Sequence, residues 1–586
     1  MPRTRFRPYL LLTFLVLLLR LVTALPLERA GYMDASYTQH VGSNLARGRG
    51  FTQDVVWNYL EGQKTIPGPS NLYWLPLPAV LAGGAMALFG VSYHAAQVPF
   101  VFLSLIPPLL AFYLARRLYG RDDYAWVAGL LTACSGFYMI YWVSPDNFTP
   151  FAVTADLALL CIAFGVLEHQ AKYFFLAGVF AGLAQLARAD AVLLLLVIPI
   201  LWVWRGRMEF AATRTSLPAQ TPGASSNASG RIEFAATRTP SLPAQTPGAP
   251  SSAAGRFRDF VAARVRRGSP QLLIASAGFL LVLAPWLARN ALTIGAPFAP
   301  GSARTLWLLN YDEFFRYDVS RLTLARYLDW GIGNILASKW NALGFILLVL
   351  LFGVWQIYLA PFAVIGFWKM RARVELQAAL VYLALLVLAM AFVFTFPATH
   401  GSMLHSASAL VAYGAVAVPP GLDAAIAWMA KRRRRWNVAQ AQTFFRYSAV
   451  ALAIFFSLFL YAQGVWIPPG NGATSPLWNQ RDVEYAAIDR ELDARGVPDE
   501  IPVITVDPPS FSNETGRRAI YMPTESIDAI FDAARQFGAR YLVLQYDKPV
   551  TMRALYDGKA TVAGLNKIAT VQDGLGRPVT LFEITK

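Results

Sequence analysis

Charge is what this chain has least of. Asp, Glu, Lys and Arg make up only 15% of its 586 residues, while 56% are hydrophobic, and the mean hydropathy is +0.41. Soluble domains carry about 25% charged residues, so a string of water-soluble domains is excluded, as are collagen-like, coiled-coil and disordered chains. Cysteine is almost missing. Cys134 and Cys161 both lie in apolar runs, which rules out a disulfide framework or a Cys-based metal centre. No Gly-x-x-x-x-Gly-Lys or Gly-x-Gly-x-x-Gly element opens a nucleotide-binding βα unit. What is abundant is long apolar runs, and these predict a polytopic α-helical membrane protein.

Eleven runs read as spans: 8–26, 95–115, 124–143, 147–167, 171–187, 189–204, 271–288, 341–368, 376–397, 406–428 and 447–466. The net charge of +16 is then first a topology signal, not a sign of nucleic-acid binding. Arg3, Arg5 and Arg7 precede the first run, read as a retained signal anchor with a cytoplasmic N-terminus. With eleven spans, the clusters at Arg116, Arg117 and Arg121, at 205–267, at Lys369, Arg371 and Arg373, and at 431–435 all fall on the cytoplasmic side. A twelfth span at 74–90 would reverse that parity, so this Pro-, Gly- and Ala-rich stretch is expected to be interfacial or re-entrant.

The expected organisation is a transmembrane module at 1–204 with a first outer loop at 27–73, a cytoplasmic linker at 205–270, and a second transmembrane module at 271–466 with an outer loop at 289–340. An extracytoplasmic α/β domain follows at 470–586. In that tail, 502–507 and 541–546 read as strands and 525–537 as a helix. The linker repeats Glu209-Phe-Ala-Ala-Thr-Arg-Thr at Glu233, each copy leading into Ser-Leu-Pro-Ala-Gln-Thr-Pro-Gly; such composition builds no core.

Acidic groups beside span ends are costly and single out candidate chemistry. Asp34 lies in Tyr32-Met-Asp-Ala-Ser-Tyr37 after the first span, and Asp146 in the tight turn Ser144-Pro-Asp-Asn-Phe148. The topology puts both on one face, where a carboxylate can take a proton from a hydroxyl. Each also has a bland reading, a loop carboxylate or helix cap for Asp34 and an Asx turn for Asp146. Asp156 lies inside a run, and Asp190 reads as a partner of Arg188. Arg289 and Arg304 offer guanidinium groups for a phosphate, although anchoring a helix end explains Arg289 equally well. His400 and His405 share a short outer turn, without a third ligand in view for a metal. Tyr32, Tyr37 and Asn290 flank these groups as candidate substrate contacts.

The first span with its Tyr-x-Asp loop, Gly48-Arg-Gly-Phe51, Leu72-Tyr-Trp-Leu-Pro-Leu-Pro78 and Leu88-Phe-Gly90 resembles the GT-C membrane glycosyltransferases of the protein mannosyltransferase and aminoarabinose transferase superfamily. Ala115-Arg-Arg-Leu-Tyr-Gly120, the segment 181–188, Pro285-Trp-Leu-Ala-Arg-Asn290, Asp507-Pro-Pro-Ser510 and Thr515-Gly-Arg517 are similar to patterns in its bacterial members. The resemblance implies a GT-C-like fold and an inverting transfer of a hexosyl or pentosyl group. The donor would be a polyprenyl-phosphate-linked sugar, and the acceptor a protein, lipid or glycan at the outer membrane face. Asp34 matches the family's general base and Asp146 its second acidic residue. Related aminoarabinose transferases place a Lys before the Pro-rich stretch to contact the donor phosphate. Here Pro69, Ser70 and Asn71 stand in that region, which turns attention to Arg289, Arg304, His405 and the nearest lysine, Lys64. The Trp-Trp-Asp-Tyr-Gly signature of oligosaccharyltransferases is absent.

The expected protein is thus a multi-pass cell-membrane enzyme with an extracytoplasmic C-terminal domain, without a cofactor and without a nucleic-acid partner. A transporter or lipid flippase is the main alternative, since many spans with intramembrane Asp156 and Asp190 would suit a substrate pathway; a non-catalytic assembly or receptor subunit whose tail binds a partner is a third.

Overall fold

The computed structural model describes residues 6–215, 253–394, 402–432, 436–470 and 472–585. Most of the duplicated linker and His400 lie outside the described residues. Among those described, eight helices are long and apolar enough to cross a bilayer: Arg7–Ala24, Tyr93–Tyr119, Phe148–Glu168, Ser269–Ile294, Ile332–Val354, Val374–Val393, Ser402–Ala430 and Val438–Val465. Phe148–Glu168 and Ser402–Ala430 are enclosed nearly all round, whereas Arg7–Ala24 and Val438–Val465 turn rows such as Leu10, Phe14 and Leu18 or Phe455 and Phe459 outward. This is the pattern of central and lipid-facing helices in one bundle.

Eight helices stand against eleven apolar runs, and the differences are physical. The run 171–187 forms a helix, Ala171–Ala187, of seventeen residues, and 189–204 becomes a 3-10 turn followed by Leu193–Thr215. The run 124–143 does not form one helix: Asp122–Ala133 stops at Cys134, and the chain turns at Gly136 (φ +60°) into the short Tyr138–Tyr141. Polar partners make that break tolerable inside an apolar bundle. Arg20 donates to the carbonyl of Ala133 (3.0 Å), Gln356 to that of Cys134 (2.8 Å), and the Gly136 N–H to Ser457 Oγ (2.8 Å). The run 341–368 also divides, into Ile332–Val354 and Ala360–Lys369, around Gln356 and Ile357, both at positive φ. Leu77–Phe89 has thirteen residues, about 20 Å of helix against about 30 Å of hydrocarbon; it packs on Met33–Ala46 and on Tyr93–Leu103.

The C-terminal region builds a six-stranded sheet in the order Val55–Val56, Ala519–Tyr521, Val503–Thr505, Tyr541–Leu544, Pro578–Ile584, Leu565–Gln572. The first four strands are parallel and the last two antiparallel additions. The parallel strands are buried on both faces, as such strands must be. Ile504, Ile520 and Leu542 meet Ile530 and Phe531 of helix Ile527–Phe537, while Val503, Ala519 and Val543 meet Tyr485, Ile488 and Phe511. The predicted strands at 502–507 and 541–546 and the helix at 525–537 match Val503–Thr505, Tyr541–Leu544 and Ile527–Phe537. The edge strand Val55–Val56 was not foreseen; it comes from the first loop and ties that loop to the sheet.

Candidate active site

Three distant segments converge below this sheet. Asp34 stands in the first turn of helix Met33–Ala46, where the helix N-terminus favours an acid. Asp146 sits in the turn that follows the broken helix and precedes Phe148–Glu168. His405 lies near the start of Ser402–Ala430. His405 Nε2 is 3.8 Å from Asp34 Oδ2, and its Nδ1 is 3.8 Å from Asp146 Oδ2. The imidazole stacks on Phe148 (3.8 Å between centroids) and its Nδ1 is hydrogen-bonded to Asn147 Oδ1. Tyr32 donates to Asp146 Oδ2 (2.9 Å), and the Asn147 N–H to Asp146 Oδ1 (2.5 Å).

Both carboxyls are harder to ionise than usual. Burial, followed by the negative charge of Asp146, pushes Asp34 well above the ordinary carboxylate range, and the positive charge of Arg188 opposes this. Burial raises Asp146 to about 6 against the hydrogen bonds from Asn147 and Tyr32. Among the described residues, neither carboxylate has an ion pair with Lys or Arg. Two acids side by side with raised proton affinity are a common mark of acid–base chemistry.

Asp34 and His405 open on a cavity of about 300 Å³. Its polar wall adds Asn147, Arg188, Asp190 and Asn290, its aromatic wall is Trp57, Tyr73, Trp74, Tyr311 and Phe314, and Leu283, Leu287, Met390 and Phe394 form an apolar side. Trp57 and Trp74 stack in parallel, with centroids 3.6 Å apart. Arg188 binds Asp190 Oδ1 (3.1 Å), Ser406 Oγ (2.9 Å) and the Ser402 carbonyl (3.2 Å), which fixes the cation at the cavity wall. Sequence reasoning had paired Arg188 with Asp190 and stopped there.

The other candidates are placed differently. Arg289 donates to the carbonyls of Ser70 (3.1 Å) and Phe51 (3.0 Å) and lies over the Trp286 ring, so it holds the first loop and is not part of the cavity wall. Arg304 donates to the Val319 carbonyl (2.6 Å), and Lys64 is an exposed loop residue; neither lines the cavity. Tyr37 is buried behind the site, bonded to Gln53 Oε1 (2.6 Å) and to the Asn71 N–H (2.8 Å). Asn290 lines the cavity while bridging Arg289 and the Pro297 carbonyl. Asp34, Asp146 and His405 each present one donor atom, all within 4.8 Å of one another, so His405 finds its candidate co-ligands in two distant carboxylates, while His400 lies outside the described residues.

Residues 72–218 match the family described as dolichyl-phosphate-mannose-protein mannosyltransferase. No curated protein matches the chain in sequence. In fold, the chain is similar to ArnT from Cupriavidus metallidurans bound to undecaprenyl phosphate, at 13% identity over 99% of this chain and 98% of that chain, with a TM-score of 0.54. The apo state of the same ArnT gives a TM-score of 0.52 at 13% identity, again over 99% and 98%. The apo oligosaccharyltransferase of Archaeoglobus fulgidus gives 0.50 at 12% identity, over 96% of this chain and 79% of that chain. The family match covers the stretch from the end of the first outer loop through the helices up to residue 218, and the helical fold with its C-terminal α/β region is the fold of the ArnT structures.

Proposed function

We propose that the chain transfers a glycosyl group, hexosyl or pentosyl, from a polyprenyl-phosphate-linked donor to a hydroxyl or amide acceptor at the outer membrane face, with inversion and with Asp34 as general base. The observation that carries this reading is the cavity in which one carboxylate of raised proton affinity, one fixed arginine and an apolar wall face each other. The acceptor oxygen or nitrogen attacks the anomeric carbon as the bond to the phosphate oxygen breaks; the lipid phosphate leaves and the acceptor proton passes to Asp34. Arg188 faces the departing negative charge, the aromatic wall suits the apolar face of a sugar ring, and Leu283, Leu287, Met390 and Phe394 suit the first isoprene units. A phosphate leaving group asks for positioning and charge neutralisation, which preorganised donors in a dry site supply. Asp146 and Asn147 then orient His405 and the acceptor. In this reading the N-terminus is cytoplasmic and the C-terminal region extracytoplasmic; protein, lipid and glycan acceptors all remain compatible with it.

The test is release of labelled sugar from polyprenyl-phosphate hexose and pentose donors by the purified protein in detergent. Donor binding without release in the presence of acceptor extracts would overturn the reading. The three-donor set of Asp34, Asp146 and His405 supports a second reading, in which these residues hold a divalent cation. Chelation separates the two: activity that survives EDTA keeps Asp34 as base, and activity lost to EDTA and restored by Mn²⁺ or Zn²⁺ makes it a ligand.

A further inference from the structure

The segment bearing Asp34 is gripped on both sides by the C-terminal region. Two residues before Asp34, Tyr32 packs edge-to-face on Trp478 (5.6 Å, 69°), and the Trp478 indole N–H donates to the Arg29 carbonyl (2.9 Å). Gly31 (φ +73°) makes this close approach possible, since a Cβ there would sit 2.3 Å from the indole ring. Two residues after Asp34, the Ser36 carbonyl accepts from Asn513 Nδ2 (2.8 Å), and the Ser36 hydroxyl is hydrogen-bonded to that of Ser510 (2.8 Å). The second grip is itself anchored. Asp507 is fully buried, caps helix Pro508–Thr515 through the Ser510 N–H (3.2 Å), binds the Ser510 hydroxyl (2.8 Å) and pairs with Arg481, which reaches Asp547 (2.5 Å). Arg29 adds an ion pair to Glu514 (3.2 Å).

We propose that Trp478, Ser510 and Asn513 are positioning residues which clamp Tyr32 and Ser36 and so hold Asp34 at its working distance from His405 and Asp146. The C-terminal α/β region is then part of the catalytic apparatus rather than an appended domain. The inference rests on the reading of Asp34 as the base. None of the three clamp residues lines the cavity, so losing them should alter turnover and leave donor binding alone. The charged groups that face Asp34 are Asp146, His405, Arg188 and, from the C-terminal region, Asp507. A loosened clamp changes the spacing of Asp34 from Asp146 and Arg188, and with it the ease of ionising Asp34.

The experiment compares Ser510→Ala/Asn513→Ala, the milder Trp478→Phe and the conservative Ser510→Thr with the full-length enzyme. It measures kcat, donor KM, the acid limb of the pH profile and thermal unfolding in detergent. A displacement of about 1 Å can cost as much as 10²-fold. The double variant should therefore lose roughly 10- to 100-fold in kcat, with donor KM within about twofold and the acid limb displaced. Trp478→Phe keeps a ring on Tyr32 and loses only the bond to Arg29; it should show the same pattern more weakly and serves if the double variant fails to fold. Ser510→Thr should stay close to the parent. Unchanged kcat in a folded clamp variant, or a loss confined to KM, overturns the proposal. So does a loss that follows stability with the acid limb unmoved. Asp34→Asn in the same assay separates the two readings: if it is fully active, the base assignment has failed and the clamp with it; if it is inactive, the clamp variants decide alone.

Discussion

The two ends of helix Ser402–Ala430 handle negative charge in opposite ways. Asp423 lies eighteen residues beyond His405, about 27 Å along a helix. There it is gripped by Arg446 Nη1 (2.7 and 2.6 Å), accepts from the Tyr124 hydroxyl (2.6 Å) and has Arg121 at 3.8 Å. Nearby, Asp123 pairs with Arg446 (3.0 Å) and Glu375 with Arg117 (3.5 Å). Asp423, Asp123 and Glu375 are each neutralised by a guanidinium, Arg446 serving two of them. At the His405 end, Asp34 and Asp146 face a histidine and each other, and the nearest arginine is committed to Asp190. Paired buried charges hold a structure together and are costly to disrupt, while unneutralised ones are free to exchange a proton. Arg116 pairs with Asp122 (2.9 Å) and Arg121 with Asp123 (2.6 Å) in the same region.

The contrast can be broken from either end. Asp34→Asn should lower kcat by about 10² to 10⁴, with donor affinity kept and thermal stability equal or raised, because a like-charge contact disappears. Turnover and donor binding measured on one preparation check this. Arg446→Leu does the reverse: it leaves Asp423 and Asp123 without their cation, so stability should fall by about 3 kcal/mol or more while kcat per folded molecule is kept. A thermal melt in detergent beside an activity titration decides it, and unaltered melting would show that the pairing is ornamental. Arg188→Ala should act between these limits. Hydrogen bonds to charged groups contribute about 1.5–3 kcal/mol, so donor KM should rise roughly 10- to 100-fold if Arg188 meets the phosphate. A rise no larger than that of Arg304→Ala would return the role to the loop arginines.

Much of this arrangement was legible in the chain and some of it could not be. The strands at 502–507 and 541–546 announce themselves by apolar runs between turn residues, and Asp34 and Asp146 by their cost beside span ends. The break at 134–136 was hidden because its partners are scattered: Arg20 and Ser457 on two other helices, Gln356 in a turn between two more. Val55–Val56 is too short to show alternation; its pairing with Ala519 and Ile520 exists only in the fold. Arg188 was passed over because its neighbour Asp190 already explained it, and proximity in sequence says nothing about the cavity on its other side. Arg289 misled for the opposite reason: a guanidinium at a span end suits a phosphate, yet here it caps two loop carbonyls.

The smallest effect concerns pH and tests the contact between the two acids directly. As a base, Asp34 works only when ionised, so kcat/KM should rise with pH through its raised pKa, well above the ordinary carboxylate range, and fall away below it. Asp146→Asn keeps the burial and an oxygen for Tyr32 but removes the negative neighbour. Asp34 then ionises more readily and the acid limb should move to lower pH, because a like charge beside it is gone. It should not return fully to the range of a free carboxylate, because burial, the larger cause, is unchanged. Activity near neutral pH would fall only as far as acceptor orientation depends on Asp146. An unmoved limb would mean that the titrating group is not Asp34, and a limb moved upward would mean that Asp146 supports the charge of Asp34 through a shared cation instead of opposing it.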